Sequence, residues 1–190
     1  LKINDSEIED IFDYQYLLQD EYIEVLIKKA DGEEWLWEID KEYSEDLGLT
    51  FENGLMDEYR SCHNKCIFCF IDQMPKGMRE TLYFKDDDSR LSFLQGNYVT
   101  LTNMSEHDID RIINYRLEPI NISFQTTNPE LRCKMLNNRF AGDALKKVDK
   151  LFEAGIHMNG QIVLCKGVND KEELKRSISD LTKYLPNLES

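Results

Sequence analysis

From Asn97 onward the chain switches repeatedly between two hydrophobic periods. Asn97–Thr102, Asn121–Gln125 and Met158–Leu164 read as strands. Between them lie helical signals. Ser105 with Asp108 resembles a capping box, and Ile109, Ile112 and Ile113 give the following helix an apolar face. Asn128-Pro129 caps and starts another helix, and a further one runs from about Asp143 to Ala154 with Gly155 as its stop. Asp170 caps a last helix reaching about Tyr184. Upstream, Leu55–Arg60 predicts a strand, and Phe68–Gln73 opens a helix that Pro75 and Gly77 cut short. Strands alternating with helices imply an α/β fold: a parallel sheet with right-handed crossovers, whose working residues lie at the strand C-terminal ends.

The first fifty residues follow another pattern. Ser6 and Glu9 make a capping box, and Ile8, Ile11, Phe12, Tyr16 and Leu17 follow at helical spacing. Tyr22–Lys28 and Glu34–Ile39 alternate on either side of an Ala30-Asp31-Gly32 turn, then comes the short run Leu47–Phe51. Trp35 and Trp37 share one strand face, as packing residues. Charge separates this segment from the rest. Residues 1–53 carry four Lys/Arg and 17 Asp/Glu, a net of −13, whereas residues 54–190 carry 19 and 20, a net of −1. That step places a domain boundary near Asn53-Gly54. The overall charge of −14 argues against a nucleic-acid binder working through a basic surface. No apolar run approaches membrane-spanning length. The chain starts at Leu1 rather than Met, as expected of a fragment or a trimmed chain.

The chemistry concentrates in Ser61-Cys62-His63-Asn64-Lys65-Cys66-Ile67-Phe68-Cys69-Phe70, a C-x3-C-x2-C array in a chain with only two other cysteines. Three thiolates this close can converge on one metal centre. An ordinary iron–sulfur cluster takes four cysteines, so three close ligands point to a cubane with one iron left open. An open position distinguishes a catalytic centre from a closed structural one. Zinc is the main rival, with His63 completing a Cys3His set, although zinc ligands usually come as two separated pairs. An odd number of cysteines and no secretory signal argue against disulfides and for a reducing cytoplasm.

The array resembles the signature of the radical SAM enzymes. The resemblance implies a 4Fe–4S cluster on Cys62, Cys66 and Cys69, S-adenosylmethionine on the fourth iron, and Phe68 against the adenine. It extends through Pro129-Glu130-Leu131-Arg132, Phe152-Glu153-Ala154-Gly155-Ile156 and Gln161-Ile162-Val163-Leu164-Cys165-Lys166-Gly167-Val168-Asn169-Asp170. The implied fold is a partial (β/α) barrel, the first four units of about six, over residues 54–190. Residues 1–53 resemble the second half of a bacterial PDZ-like domain. The whole chain resembles bacterial radical SAM proteins with a PDZ-like domain before the barrel and a domain of unknown function after it.

Where that family often has Gly-Gly-Glu, this chain has Thr102-Asn103-Met104-Ser105-Glu106, so Thr102 and Asn103 are the substitutes for the methionyl amine contact. With a period of two, Asn121, Ser123 and Gln125 share the inward face, Thr100 pairs with Thr102, and Gln161 opens the fourth strand. Thr102, Asn103, Ser123, Gln125 and Gln161 are accordingly expected around S-adenosylmethionine, beside Phe68. A flavodoxin or ferredoxin is the expected electron donor, acting with an unknown substrate. The rival from another class is a non-catalytic zinc or Fe–S module with a PDZ-like interaction domain. Asp86-Asp87-Asp88 with Arg79 and Arg90 reads as a solvated charged loop, or as a lid. Cys165 directly follows the fourth strand and reads either as a cavity-facing thiol or as an inert buried cysteine, and Cys133 is expected in packing.

Overall fold

The computed structural model describes residues 1–43 and 45–189. It divides into two compact units, Leu1–Tyr59 and Arg60–Ser190.

The first unit is α+β. Strands β1 (Lys2–Ile3), β2 (Ser6–Glu7), β3 (Tyr22–Lys28) and β4 (Glu34–Asp40) form an antiparallel sheet in the order β2-β1-β3-β4. The hairpin runs in register from Tyr22↔Asp40 to Lys28↔Glu34. Helix α1 (Ile11–Leu17) contributes Tyr14 to a core with Ile3, Leu18, Ile23 and Val25. Two expectations are corrected here. The capping box is formed by Asp10 and Asp13, with Phe12 N donating to Asp10 Oδ1 at 3.0 Å and Asp10 N to Asp13 Oδ2 at 3.2 Å. Ser6 cannot serve, because it is paired with Ile3 in the sheet. Trp35 and Trp37 are not packed away but 41% and 46% exposed. The core gathers on β1 and β3, and β4 forms the sheet edge, where Lys29 Nζ lies 3.2 Å over the Trp35 ring.

The second unit is built on parallel pairing. Val99 bridges Ile122 in β5 (Ile120–Ser123), β5 pairs with β6 (Met158–Gln161), and Met158 bridges Leu188, all parallel. Helix α2 (Ser89–Gln95) precedes the first of these four segments. Helix α3 (Glu106–Tyr115) separates the first from the second, and α4 (Pro129–Leu136) with α5 (Lys146–Glu153) the second from the third. Helix α6 (Glu172–Leu181) precedes the fourth. Val99, Ile109, Ile112, Ile120, Ile122, Phe124, Val148, Leu151 and Met158 bury the interior between sheet and helices. Ile122 and Phe124 thus face the helices, as their alternation requires. No described helix is long and apolar enough to cross a membrane.

Several helix ends follow the local chemistry. Ser105 and Asp108 form the reciprocal capping box of α3. Asn128 caps α4 with Pro129 at its first turn, and Gly155 follows α5 at φ +75°. The strands are shorter than their patterns. Leu101 and Gln125 take positive φ, at 63° each, and that turns the chain out of extended pairing. Leu55–Arg60 forms no strand; Ser61 instead bridges Asp86 in antiparallel fashion. Phe68–Gln73 closes into turns rather than a helix, with Cys69 N donating to Cys66 O and Met74 N to Ile71 O. Helix α6 starts after Lys171 at φ 51°, so Asp170 does not cap it.

Candidate metal and cofactor site

The cysteine loop is held by backbone bonds at each stage. Cys62 N donates to Lys85 O at 2.7 Å, Lys65 N to Leu136 O at 3.0 Å, and Ile67 N to Met135 O at 2.9 Å. The loop therefore rides on the C-terminal end of α4. Cys66 and Phe68 pack there against Met135, Leu136 and Ala141, together with Cys133 and Cys165. Cys133 is held further, its Sγ accepting from Gly142 N at 3.3 Å.

Cys62, Cys66 and Cys69 are free, half-buried thiols. Burial pushes the Cys66 thiol up to about 12, and charge on Cys62, Cys69 and Asp87 adds to the rise. Burial also raises Cys62, partly offset by a main-chain hydrogen bond from Asn64. Two neighbouring thiols, Cys62 and Cys66, that burial keeps from ionising suit a cationic centre, which takes up thiolates with release of protons. Among the described residues no three His, Cys, Asp or Glu side chains are gathered as a site for a single metal ion. A cubane takes one thiolate per iron, so its ligands stand at separate corners rather than around one ion. The donor set fits such a cluster.

Thr102 and Asn103 lie against this loop. Asn103 Oδ1 is 3.0 Å from His63 Nδ1, and its Nδ2 donates to Ser61 O at 3.2 Å. The Thr102 hydroxyl is within 2.9 Å of Asn64 Nδ2 and 2.8 Å of the Thr100 hydroxyl. Ser123 and Gln161 meet across β5 and β6, Ser123 Oγ donating to Gln161 Oε1 at 3.4 Å. Gln125 is buried and its side-chain oxygen is committed, accepting from Val163 N at 2.7 Å. Asn169 fastens the same stretch, donating to Gln125 O at 2.7 Å and Val163 O at 3.0 Å. Ser123 and Gln161 are the last residues of β5 and β6, Thr102, Asn103 and Gln125 follow parallel segments, and Phe68 is placed by α4.

Two buried charges organise the strand ends; Arg132 belongs to the family-like Pro129–Arg132 stretch and Asp87 to the Asp86–Asp88 run, but neither signal indicated burial. Arg132, on α4, is fully buried and donates to four main-chain oxygens: Phe124 O at 2.9 Å, Ser123 O at 2.9 Å, Thr100 O at 2.8 Å and Ala141 O at 2.5 Å. Burial lowers its pKa to about 10, opposed by the charge of Asp87, so it stays protonated at neutral pH. Asp87 is 2% exposed and accepts from Thr100 N at 2.7 Å and Thr100 Oγ1 at 2.5 Å. Burial raises the Asp87 carboxyl above the usual range, and the Thr100 and Thr102 bonds hold back part of that rise. Thr100 thus bridges the two charges, its amide and hydroxyl to Asp87 and its carbonyl to Arg132.

The Asp86–Asp88 run is correspondingly not a solvated loop, since Asp87, Asp88 and Arg90 are all buried. Asp88 caps α2 through Arg90 N and accepts from Arg90 Nη2 at 2.7 Å and Arg60 N at 3.0 Å. The available signal was an Asp immediately before a helix; its burial had none. Arg79 is exposed, apart from this cluster.

Arg60 also reaches Asp108, with Nη1 2.7 Å from Oδ1. Burial works against the Asp108 carboxylate, but bonds from Arg60 and Ser105 outweigh it and hold its pKa below the usual value. A depressed carboxylate stabilises the fold above its unfolded pKa, near 3.9, and that stability is lost as pH falls through the folded value. Asp108→Asn is expected to cost about 1–2 kcal/mol at neutral pH and to flatten this acid limb. Urea unfolding at stepped pH checks it; an unchanged acid limb contradicts the assignment.

Taken together, the unit is an α/β protein with a thiol-rich loop set beside polar groups at the C-terminal ends of parallel segments. A family model described as a radical SAM-like domain matches residues 41–190, and the chain belongs to that family. No curated protein matches the chain.

Proposed function

We propose that this chain carries the S-adenosylmethionine-cleaving centre of a radical SAM enzyme. The observation that carries the reading is the anchoring of Cys62, Cys66 and Cys69 on one loop, hydrogen-bonded to polar side chains that end the parallel segments. These cysteines would hold a 4Fe–4S cluster and leave its fourth iron to S-adenosylmethionine. When bound and reduced, the cluster would supply the electron for reductive cleavage of S-adenosylmethionine to methionine and a 5′-deoxyadenosyl radical, which would abstract hydrogen from a substrate.

The chain's own residues bind and orient. Phe68 offers an apolar face beside Cys69. Thr102 and Asn103 offer hydroxyl and amide groups next to the cysteine loop, in the place of the family's Gly-Gly-Glu. Ser123 and Gln161 offer a second polar pair, and Gln125 holds Val163 in place through its side-chain oxygen. The working domain in this reading is residues 54–190, a partial barrel that lacks the expected Leu55–Arg60 strand and whose parallel segments lie at Val99, β5, β6 and Leu188. Residues 1–53 are a PDZ-like half, read from the order strand, helix, hairpin. The electron donor is a flavodoxin or ferredoxin of a reducing cytoplasm.

The test is anaerobic reconstitution with iron and sulfide. Iron and sulfide in equal amounts, a cluster spectrum altered by S-adenosylmethionine, and 5′-deoxyadenosine on reduction are expected. Stoichiometric zinc without charge-transfer absorption overturns the reading in favour of a non-catalytic metal module.

A further inference from the structure

We propose that Asn64 is a positioning residue, whose carboxamide locks the middle of the cysteine loop and so sets where Cys62 and Cys66 stand for the cluster. The proposal rests on the reading of these cysteines as ligands. Within Ser61–Phe70 only Asn64 is buried; the three thiols around it are half-exposed. It lies midway between Cys62 and Cys66, where no strand or helix fixes the backbone.

The side chain is fully engaged. Nδ2 donates to Thr100 Oγ1 at 3.0 Å and to Thr102 Oγ1 at 2.9 Å. Oδ1 is 3.2 Å from Thr102 Oγ1 and accepts from Asn138 Nδ2 at 2.8 Å. Two donors and two acceptor sites are what a primary amide has to offer, and all are used. The partners come from two directions: Thr100 and Thr102 follow the first parallel segment, and Asn138 follows α4. Asn64 therefore triangulates the loop between a strand end and a helix end. The two Thr hydroxyls also touch buried Asp87, so an aspartate at position 64 would set a second carboxylate against the first. An alanine would leave buried partners unsatisfied and free the loop.

The experiment compares the wild-type chain with Asn64→Ala and Asn138→Ala. In metal-free protein, amide hydrogen exchange at Lys65 and Ile67 is read, with urea unfolding alongside to separate loop opening from global loss. After anaerobic reconstitution, cluster release to a chelator and the spectrum of the reduced cluster are read. Asn64→Ala is expected to speed exchange and cluster release about tenfold and to shift the reduced-cluster signal. Asn138→Ala, which removes one bond of the four, is expected to shift both in the same direction by less. Exchange and release within about twofold of wild type in Asn64→Ala overturn the proposal. If that variant does not fold, unchanged Lys65 exchange and cluster release in Asn138→Ala overturn it instead. Should wild type take up no iron, the ligand reading fails, and hydrogen exchange still decides the role of Asn64.

Discussion

Replacing Arg132 by methionine is expected to cost the fold about 3–5 kcal/mol, because it breaks a buried charge arrangement from one side. Four main-chain oxygens lose their donor at once: Thr100, Ser123, Phe124 and Ala141. Each buried group left unpaired carries a penalty of about 1–3 kcal/mol, and water has little access to a fully buried side chain's partners. Asp87 simultaneously loses the positive charge that favours its ionised form. Arg132→Lys keeps the charge but not the planar fork that reaches four oxygens, so it is expected to recover only part of the loss. Urea unfolding at constant slope measures both. A cost below about 1 kcal/mol for Arg132→Met would mean that the freed carbonyls find other donors, and the organising role assigned to Arg132 would be wrong. Because Thr100 bridges the two charges, Asp87→Asn combined with Arg132→Met is expected to cost less than the single changes added together.

The second large effect is chemical. Cys66→Ala is expected to abolish cluster uptake, whereas Cys133→Ala and Cys165→Ala retain it. The structure sharpens this contrast, because Cys66, Cys133 and Cys165 all pack against Met135, Leu136 and Ala141. Removing any of them trims the same apolar cluster, so a purely structural effect would touch all three variants alike. Only a ligand role separates Cys66 from the others. Iron and sulfide content after anaerobic reconstitution is the measurement. Retention in Cys66→Ala with loss in Cys165→Ala would reassign the third ligand to the loop after β6.

Local chemistry alone carried much of this protein's description. The Ser105/Asp108 box, the Asn128-Pro129 start, the Gly155 stop and the Tyr22–Asp40 hairpin depend on neighbours a few residues apart, and such signals survive without the rest of the chain. The spacing of Cys62, Cys66 and Cys69 is equally local, and it indicated the family to which the chain belongs. Where two local signals competed, proximity could not arbitrate. Ser6 had the chemistry of a cap but was claimed by β2, which left the role to Asp10. Strand length also escaped the pattern: the apolar alternation continues past Val99 and Ser123, but positive φ at Leu101 and Gln125 turns the chain aside.

The buried polar framework was decided by tertiary structure alone. Asp87 and Arg90 looked like members of a solvated charge run, and Arg132 stood out only as the last residue of the family-like Pro129–Arg132 stretch. Their burial depends on segments that meet only in the fold: the connector before α2, the segment at Thr100, the end of β5 and the interior face of α4. A charge is tolerated inside only where enough donors or acceptors converge on it, and that convergence is a property of three dimensions, invisible in any window of sequence. Asn64 makes the same point on a smaller scale. Its position between two cysteines was plain in the chain, but its four hydrogen bonds come from residues 36 to 74 positions away.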